Sequence, residues 1–238
     1  DSRFGYSMSQ QGNVNRYDKL TGRSKSVKPI HADPNVKLRF NWNAAIAQDP
    51  FDNATIYFGS QFVHKSTDKG DSWDAISEDL TTNDPEKQKQ HLSGGITIDA
   101  TGAENYTTIL AIEPSPTERG VLWAGTDDGN VQVTRDGGSS WTNVSKNIKG
   151  VPAGSWVAQI RASRYNNGEA VAVINNYRKF DFEPYLMRTK NYGKSWENLA
   201  AGKGVFGYAL SFIQDPVEPN LMFFGTEHGL YVSIDGAK

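Results

Sequence analysis

Residues 134–141 read TRDGGSSW: one acid, three hydroxyls, two glycines and a tryptophan in eight positions. Hydroxyls crowded around a carboxylate raise the question of acid–base or nucleophilic chemistry. Other carboxylates able to form a catalytic pair are Asp99 and Glu104, in the long loop 78–105, and Asp181 and Glu183, in NNYRKFDFEP at 175–184. Glycoside hydrolysis uses two carboxylates about 5–10 Å apart across the scissile bond, and the spacing of these four fixes no such distance. Side chains suited to holding a ligand are Trp42, Asn43, Tyr106, Trp156 and Tyr208, with Arg178 and Lys179 set among Tyr177, Phe180 and Phe182. Charge interleaved with aromatics in a long loop suits a ligand or partner surface. A solvated loop packed on a neighbouring element has the same composition, and rings at strand starts serve core packing as well as stacking.

Composition removes several chemistries. There is no Cys, hence no disulfide, thiolate nucleophile or thiolate metal site. His31, His64, His91 and His228 are scattered without metal-ligand spacing. TDDGN at 126–130 carries two acids that suit calcium, but Asp-Asp-Gly is first of all a hairpin turn. No metal and no cofactor are expected. The 25 basic and 27 acidic residues are mixed without a Lys/Arg run, so no nucleic-acid partner is expected. No apolar run approaches the roughly 18 residues of a membrane span.

The opening stretch recurs. STDKGDSW occupies 66–73, TKNYGKSW occupies 189–196, and SIDGAK at 233–238 begins a further copy. The shared positions are Ser66, Asp68, Gly70 and Trp73; Thr134, Asp136, Gly138 and Trp141; Thr189, Asn191, Gly193 and Trp196; and Ser233 and Asp235. Asn191 stands where the other copies have an acid. An amide oxygen still accepts hydrogen bonds, but it cannot replace a catalytic carboxylate. The pattern therefore predicts a turn: the Asp carboxylate accepting backbone N–H groups, the glycine at positive φ, the hydroxyls bonding across the hairpin and the ring falling on the core of its own sheet.

Upstream of each copy lies a run of apolar and β-branched residues: TIYFGS (55–60), VLWAGT (121–126), AVAVIN (170–175) and LMFFGT (221–226). Trp42, Tyr106, Trp156 and Tyr208 open the four units, and Pro50, Pro114 and Pro216 follow in three of them. Alternation and Gly/Asn/Asp punctuation predict four short strands per unit, the fourth starting at the tryptophan. Such a unit repeated at 40–50 residues is the signature of β-propeller blades. The expected fold is all-β, a partial β-propeller of four-stranded antiparallel blades in one segment, 1–238. Residues 1–30 and 205–238 would be partial blades; 39–80, 105–148 and 155–200 would be complete ones.

The repeated S/T-x-D-x-G-x-S/T-W resembles the Asp-box, or BNR repeat, of sialidases, xyloglucanase-type glycoside hydrolases and sortilin (VPS10) propellers. GNVNRYDKLTG (12–22), FNWNAAIAQDP (40–50) and GTEHGLYVSIDG (225–236) look like bacterial exported proteins described as sortilin-like or glycosyl hydrolase-like. The resemblance implies export. It also implies that the repeated turns lie on one face and the ligand on the opposite face, where the chain enters each blade's first strand. The Arg-Ile-Pro signature of sialidases is missing, and no motif ties Arg39, Arg161 and Arg178 into a triad. The leading expectation is a non-catalytic scaffold that binds a glycan, a peptide or another protein. The alternative is a glycoside hydrolase whose acid/base pair lies partly outside this chain. The incomplete outer units lead to the expectation that the free edges pair with the remainder of a longer propeller or with another chain.

Overall fold

In the computed structural model, residues 2–89, 92 and 105–238 are described. They form five antiparallel sheets in chain order. The first holds β1 (Phe4–Ser9), β2 (Asn13–Asp18) and β3 (Ser24–Ser26). The second holds β4 (Ile46–Gln48), β5 (Ile56–Gly59), β6 (Val63–Ser66) and β7 (Asp74–Ala75). The third holds β8 (Ile109–Pro114), β9 (Leu122–Thr126), β10 (Val131–Thr134) and β11 (Thr142–Asn143). The fourth holds β12 (Trp156–Ala162), β13 (Ala170–Asn176), β14 (Asp181–Thr189) and β15 (Glu197–Asn198). The fifth holds β16 (Ala209–Gln214), β17 (Met222–Thr226) and β18 (Gly229–Ser233). Among the described residues the only helical pieces are short 3-10 turns.

Each four-stranded sheet is an up-down meander, and the sheets pack face to face in series. Second strands are buried on both sides, which explains their unbroken apolar runs: every residue of β5, β9 and β13 is buried. Apolar clusters fill every seam. Val14 and Val27 of sheet one meet Phe58 of sheet two. Tyr57 and Val63 meet Ile109 and Leu122; Trp123 and Val131 meet Val157 and Ile160; Val173 and Leu186 meet Phe212 and Phe224. First strands β4, β8, β12 and β16 are successive neighbours, and β4, β8 and β12 together line an open channel. The register shifts at one corresponding place in β8, β12 and β16, a bulge that sharpens the local twist. This arc of sheets is a partial β-propeller.

The repeated turns join third and fourth strands. Thr134 Oγ1 donates to Asp136 Oδ1 at 2.8 Å and accepts from the Gly138 amide at 3.0 Å. Ser140 closes the turn, its N–H donating to Oδ1 at 2.8 Å and its hydroxyl to Oδ2 at 2.5 Å. Ser66, Asp68 and Ser72 repeat the pattern. The bonds close within the turn rather than across the hairpin. These donors hold the Asp68 and Asp136 carboxyls down at about 2.

Two differences from the sequence expectation concern the tryptophans. The fourth strands begin one residue after the ring, not at it. And the ring lies between its own sheet, where Trp73 is 6.1 Å from Phe58, and the preceding sheet, to which it donates. Trp73 Nε1 donates to Val27 O at 2.8 Å, and Trp141 Nε1 to Ile76 O at 2.9 Å. The turn glycine makes the same approach. Gly138 sits at φ +102, and a Cβ there would lie 2.7 Å from Ile76 O. Trp196 departs from the series by donating to Gly193 O, although Gly193 still abuts Val144.

Candidate functional site

A meander divides its connections between two faces. The turns between first and second strands and between third and fourth strands form a lower face. The loops entering each first strand and the hairpins between second and third strands form an upper face. The second-to-third hairpin of sheet four is widened. Tyr177–Lys179 makes a 3-10 turn, Phe180 takes φ +60, and β14 begins at Asp181.

This hairpin brings rings and cations together over sheets three to five. Lys87 Nζ lies 5.2 Å from the Tyr106 ring centre, and Tyr106 lies 6.3 Å from Trp156. The Arg178 guanidinium sits 3.4 Å over Trp156 and 4.4 Å from Tyr177. Tyr177 stacks on Tyr208 at 4.4 Å, and Phe182 follows at 6.2 Å. Guanidinium over an indole face is an attractive arrangement. The row thus runs from Lys87 to Phe182 over the inner ends of three sheets. Phe180 stands beside it, 89% exposed.

The sequence-selected residues divide. Trp156, Tyr208 and Arg178 belong to the row, and Lys179 is exposed next to it. Tyr106 belongs to it from below, buried, with its hydroxyl pushed up to about 12 chiefly by burial. Trp42 and Asn43 are exposed over sheet two and make none of the row's ring contacts; the Asn43 amide donates to Asn41 Oδ1 at 3.2 Å. Asp181 accepts from Asn176 Nδ2 and the Tyr185 hydroxyl, at 3.1 and 2.9 Å. Burial pushes its carboxyl up, but these donors outweigh burial and leave it below its usual value. Glu183 is exposed. Asp99, Glu104 and His91 lie outside the described residues. Arg39 pairs with Asp79 at 2.6 Å on the upper face, whereas Arg161 pairs with Glu113 at 3.5 Å near the lower end of the channel. Arg39, Arg161 and Arg178 therefore do not share one site.

Three features lie under the row, of which the sequence had marked only TDDGN, as a hairpin turn. Asp127, fully buried, accepts from Thr108 N, Thr108 Oγ1 and Asn41 Nδ2 at 2.9, 2.6 and 3.1 Å. Its neighbour Asp128 accepts from Thr82 N and Oγ1 at 2.8 and 2.6 Å. The TDDGN acids thus clamp two entering loops onto sheet three. Burial pushes Asp127 up to about 7 against the pull of its donors. Asn175, also buried, uses its Nδ2 on Ala209 O, while its Oδ1 has no partner among the described residues. A cavity of about 490 Å3 opens beside Tyr106, lined by Arg39, Asp79, Gln61, Asn83 and Gln88. The one signal of this layer in the sequence is a polar residue at or just past the end of each second strand: Gln61, Asp127, Asn175 and Glu227. Among the described residues no group of three or more His, Asp or Glu could hold a metal, and no helix is long and apolar enough to cross a membrane.

Known proteins share this fold at low identity. An ancestral GH74 enzyme superposes with a TM-score of 0.56 at 18% identity, over 84% of this chain and 24% of its own. The GH74 xyloglucanase from Xanthomonas campestris gives 0.57 at 14%, over 99% of this chain and 43% of its own. The WD40 β-propeller domain of Doa1 gives 0.59 at 10%, over 100% and 64%. The chain thus spans less than half the length of either GH74 protein. No protein-family model and no curated protein matches the sequence. At these identities the likeness is one of fold.

Proposed function

We propose that this chain is a ligand-binding segment of an exported, sortilin-like Asp-box propeller, and that its upper face holds a glycan or a peptide. The observation that carries the reading is the row Lys87–Tyr106–Trp156–Arg178–Tyr177–Tyr208–Phe182. Aromatic faces offer apolar area at low entropic cost, and adjacent cations and amides fix orientation. The widened hairpin of sheet four supplies Tyr177, Arg178 and Phe182; among the described residues the β1–β2 hairpin of sheet one also holds a 3-10 turn, Gln10–Gly12, but it carries no ring, and the second-to-third hairpins of sheets two, three and five have no such turn. A connection that departs from its repeat is where function is carried. The remainder of a longer propeller, or another chain, is the expected protein partner.

A second reading is a glycoside hydrolase, favoured by the fold likeness to two GH74 enzymes. Of its candidate acids, Asp181 is held by Asn176 and Tyr185 and is a hydrogen-bond hub of its hairpin rather than a proton donor. Glycan and peptide arrays, followed by a hydrolysis screen on every bound glycan, separate the two. The binding reading expects saturable binding without turnover, weakened at least tenfold by Trp156→Ala. Release of reducing ends from a bound glycan would instead support the hydrolase, and an array with no hit weakened by Trp156→Ala sinks the upper-face assignment.

A further inference from the structure

On the lower face, the turns that join first and second strands are built alike in sheets two to five. In each, a side chain accepts from the backbone amide two residues on: Asp49 Oδ1 from Phe51, Ser115 Oγ from Thr117, Ser163 Oγ from Tyr165 and Asp215 Oδ1 from Val217. The residue between is Pro50, Pro116 and Pro216 in three of these turns and Arg164 in sheet four. Proline suits a turn there because its φ is already fixed. A cation at the same position meets no need of the turn itself.

Arg164 lines a cavity of about 260 Å3 between sheets four and five, at the lower end of the channel. Arg161, Glu113 and Glu169 line it too, and Phe212 and Met222 give it an apolar side. Its walls are held from several directions. The Tyr165 hydroxyl donates to Asp215 O at 2.6 Å, tying the turn of sheet four to that of sheet five. Asn166 Nδ2 donates to the buried Glu169 carboxylate at 2.8 Å. Val171 packs with Phe212 and Met222 in the filled seam behind, and β18 takes no part. Glu113 reaches across from β8 to Arg161 at 3.5 Å. The Arg164 guanidinium makes no hydrogen bond among the described residues.

Among the described residues that line this cavity and the channel beside it, the charged ones are Glu113, Arg161, Arg164 and Glu169. With Glu113 ionised, the two cations and two anions cancel. With Glu113 protonated, one positive charge is left on the guanidiniums, next to an apolar wall.

We infer that this cavity binds a small organic carboxylate with an apolar body, the carboxylate on Arg161 and Arg164 and the body against Phe212 and Met222. A guanidinium holds a carboxylate through paired N–H donors. A cavity of about 150 Å3 takes benzene, so this one has room for a ring and a short acid tail. Binding is coupled to one proton. Burial holds the Glu113 carboxyl up at about 7 against the pull of Arg161 and Arg164. The ligand is therefore favoured while Glu113 is neutral, and is opposed once Glu113 ionises and claims Arg161.

The test is calorimetric titration of the 238-residue chain with 3-phenylpropionate, with 3-phenylpropanol and acetate as controls. Expected at about pH 6 is saturable one-to-one binding, at least tenfold weaker for either control, and about fivefold or more weaker at about pH 8. Arg164→Pro installs the residue of the three sister turns, so the fold is kept, and should weaken binding at least tenfold. Glu113→Gln, permanently neutral, should bind at about pH 8 as the unsubstituted chain does at about pH 6. Amide NMR on the unsubstituted chain needs no variant: Arg164, Glu169 and Phe212 should shift on titration, and Trp156 and Tyr208 should not. No saturation at millimolar ligand, equal binding of the alcohol, full affinity in Arg164→Pro, or shifts confined to the aromatic row overturns the proposal. The site lies on the face opposite the row, so it stands or falls apart from the upper-face reading.

Discussion

The turns at 66–73 and 134–141 on the lower face share one set of hydrogen bonds, down to the hydroxyl that caps the carboxylate. Above them, the hairpins of the same two sheets share only the bonds that close the loop, Phe62 N to Ser60 Oγ and Asn130 N to Thr126 Oγ1, and differ beyond them: Ser60 also bonds His64 in one, and Asp128 captures Thr82 of a distant loop in the other. The difference follows from what each connection must satisfy. A lower turn must close a third strand and place a ring in the neighbouring seam, a task identical in every sheet, so one residue set recurs. An upper connection has no such shared task once its sheet is formed, and its residues are free to differ. Repetition therefore marks where the fold is held, and departure from repetition marks where a ligand is to be sought.

The contrast predicts unequal costs for similar substitutions. Trp141→Ala should destabilise by about 3 kcal/mol, toward the lower end for a large aromatic because the ring is only partly buried. Trp42→Ala, on the exposed upper face, should change stability by about 0.5 kcal/mol or less. Urea melts of the two variants check the pair, and equal losses would break the division of labour between faces. Within one turn the same logic separates adjacent glycines. Both have positive φ, +74 at Gly137 and +102 at Gly138, but only Gly138 abuts Ile76. Gly137→Ala should cost about 1 kcal/mol of backbone strain. Gly138→Ala should cost about 2–4 kcal/mol, since Ile76 and its carbonyl must also shift.

A pH experiment sharpens the comparison further. Glu113, at the lower end of β8, is pushed up to about 7 by burial, partly offset by Arg161. A raised carboxyl pKa means the folded state binds more protons than the unfolded chain between about 4.5 and 7. Stability from the protonated form is present at pH 4.5 and declines as pH rises through 7. Asp127 on the upper face is raised to about 7 and contributes with the same sign. Glu113→Gln should therefore flatten part of the decline, by about 1–2 kcal/mol after allowance for the exposed fraction of the side chain. Thermal melts at pH 5 and 7.5 decide it; parallel declines for the wild-type chain and E113Q would remove Glu113 from the account.

The lower face was legible in the sequence and the upper face was only partly so. A turn such as 134–141 meets its polar needs from its own eight residues, which leaves a local, repeating signature. The strands were legible for a related reason: burial on both sides demands unbroken apolar runs such as AVAVIN. The seat of each tryptophan was not legible, because the acceptor for Trp141 lies 65 positions away, at Ile76. The acid layer hid for the same cause. Asn41 and Asp127 are 86 positions apart, and only the stacking of sheets two and three joins them. The aromatic row was half visible: its members stood out by type, but the order that puts Arg178 over Trp156 depends on the packing of sheets three to five.

Asn191 is where the repeated turn departs from its own pattern. Its Oδ1 accepts from Thr189 Oγ1 and the Ser195 amide, at 3.1 and 2.9 Å, as the Asp136 carboxylate does with Thr134 and Ser140. The difference is the second terminal atom. Asn191 Nδ2 donates to Ser195 Oγ at 2.8 Å, whereas Asp136 Oδ2 receives the Ser140 hydroxyl at 2.5 Å. A hydroxyl donating to a carboxylate makes the stronger, charge-assisted bond. Asn191→Asp should thus raise Tm slightly at pH 7, by about one or two degrees, since the site is exposed and screened. The gain must carry the sign of a depressed acid. The sister carboxyl Asp136 is lowered to about 2, so the stabilisation is complete above about pH 4 and fades as pH falls toward 2. A gain that persists unchanged at pH 2 would mean that position 191 acts through packing and not through the hydrogen bonds that define the turn.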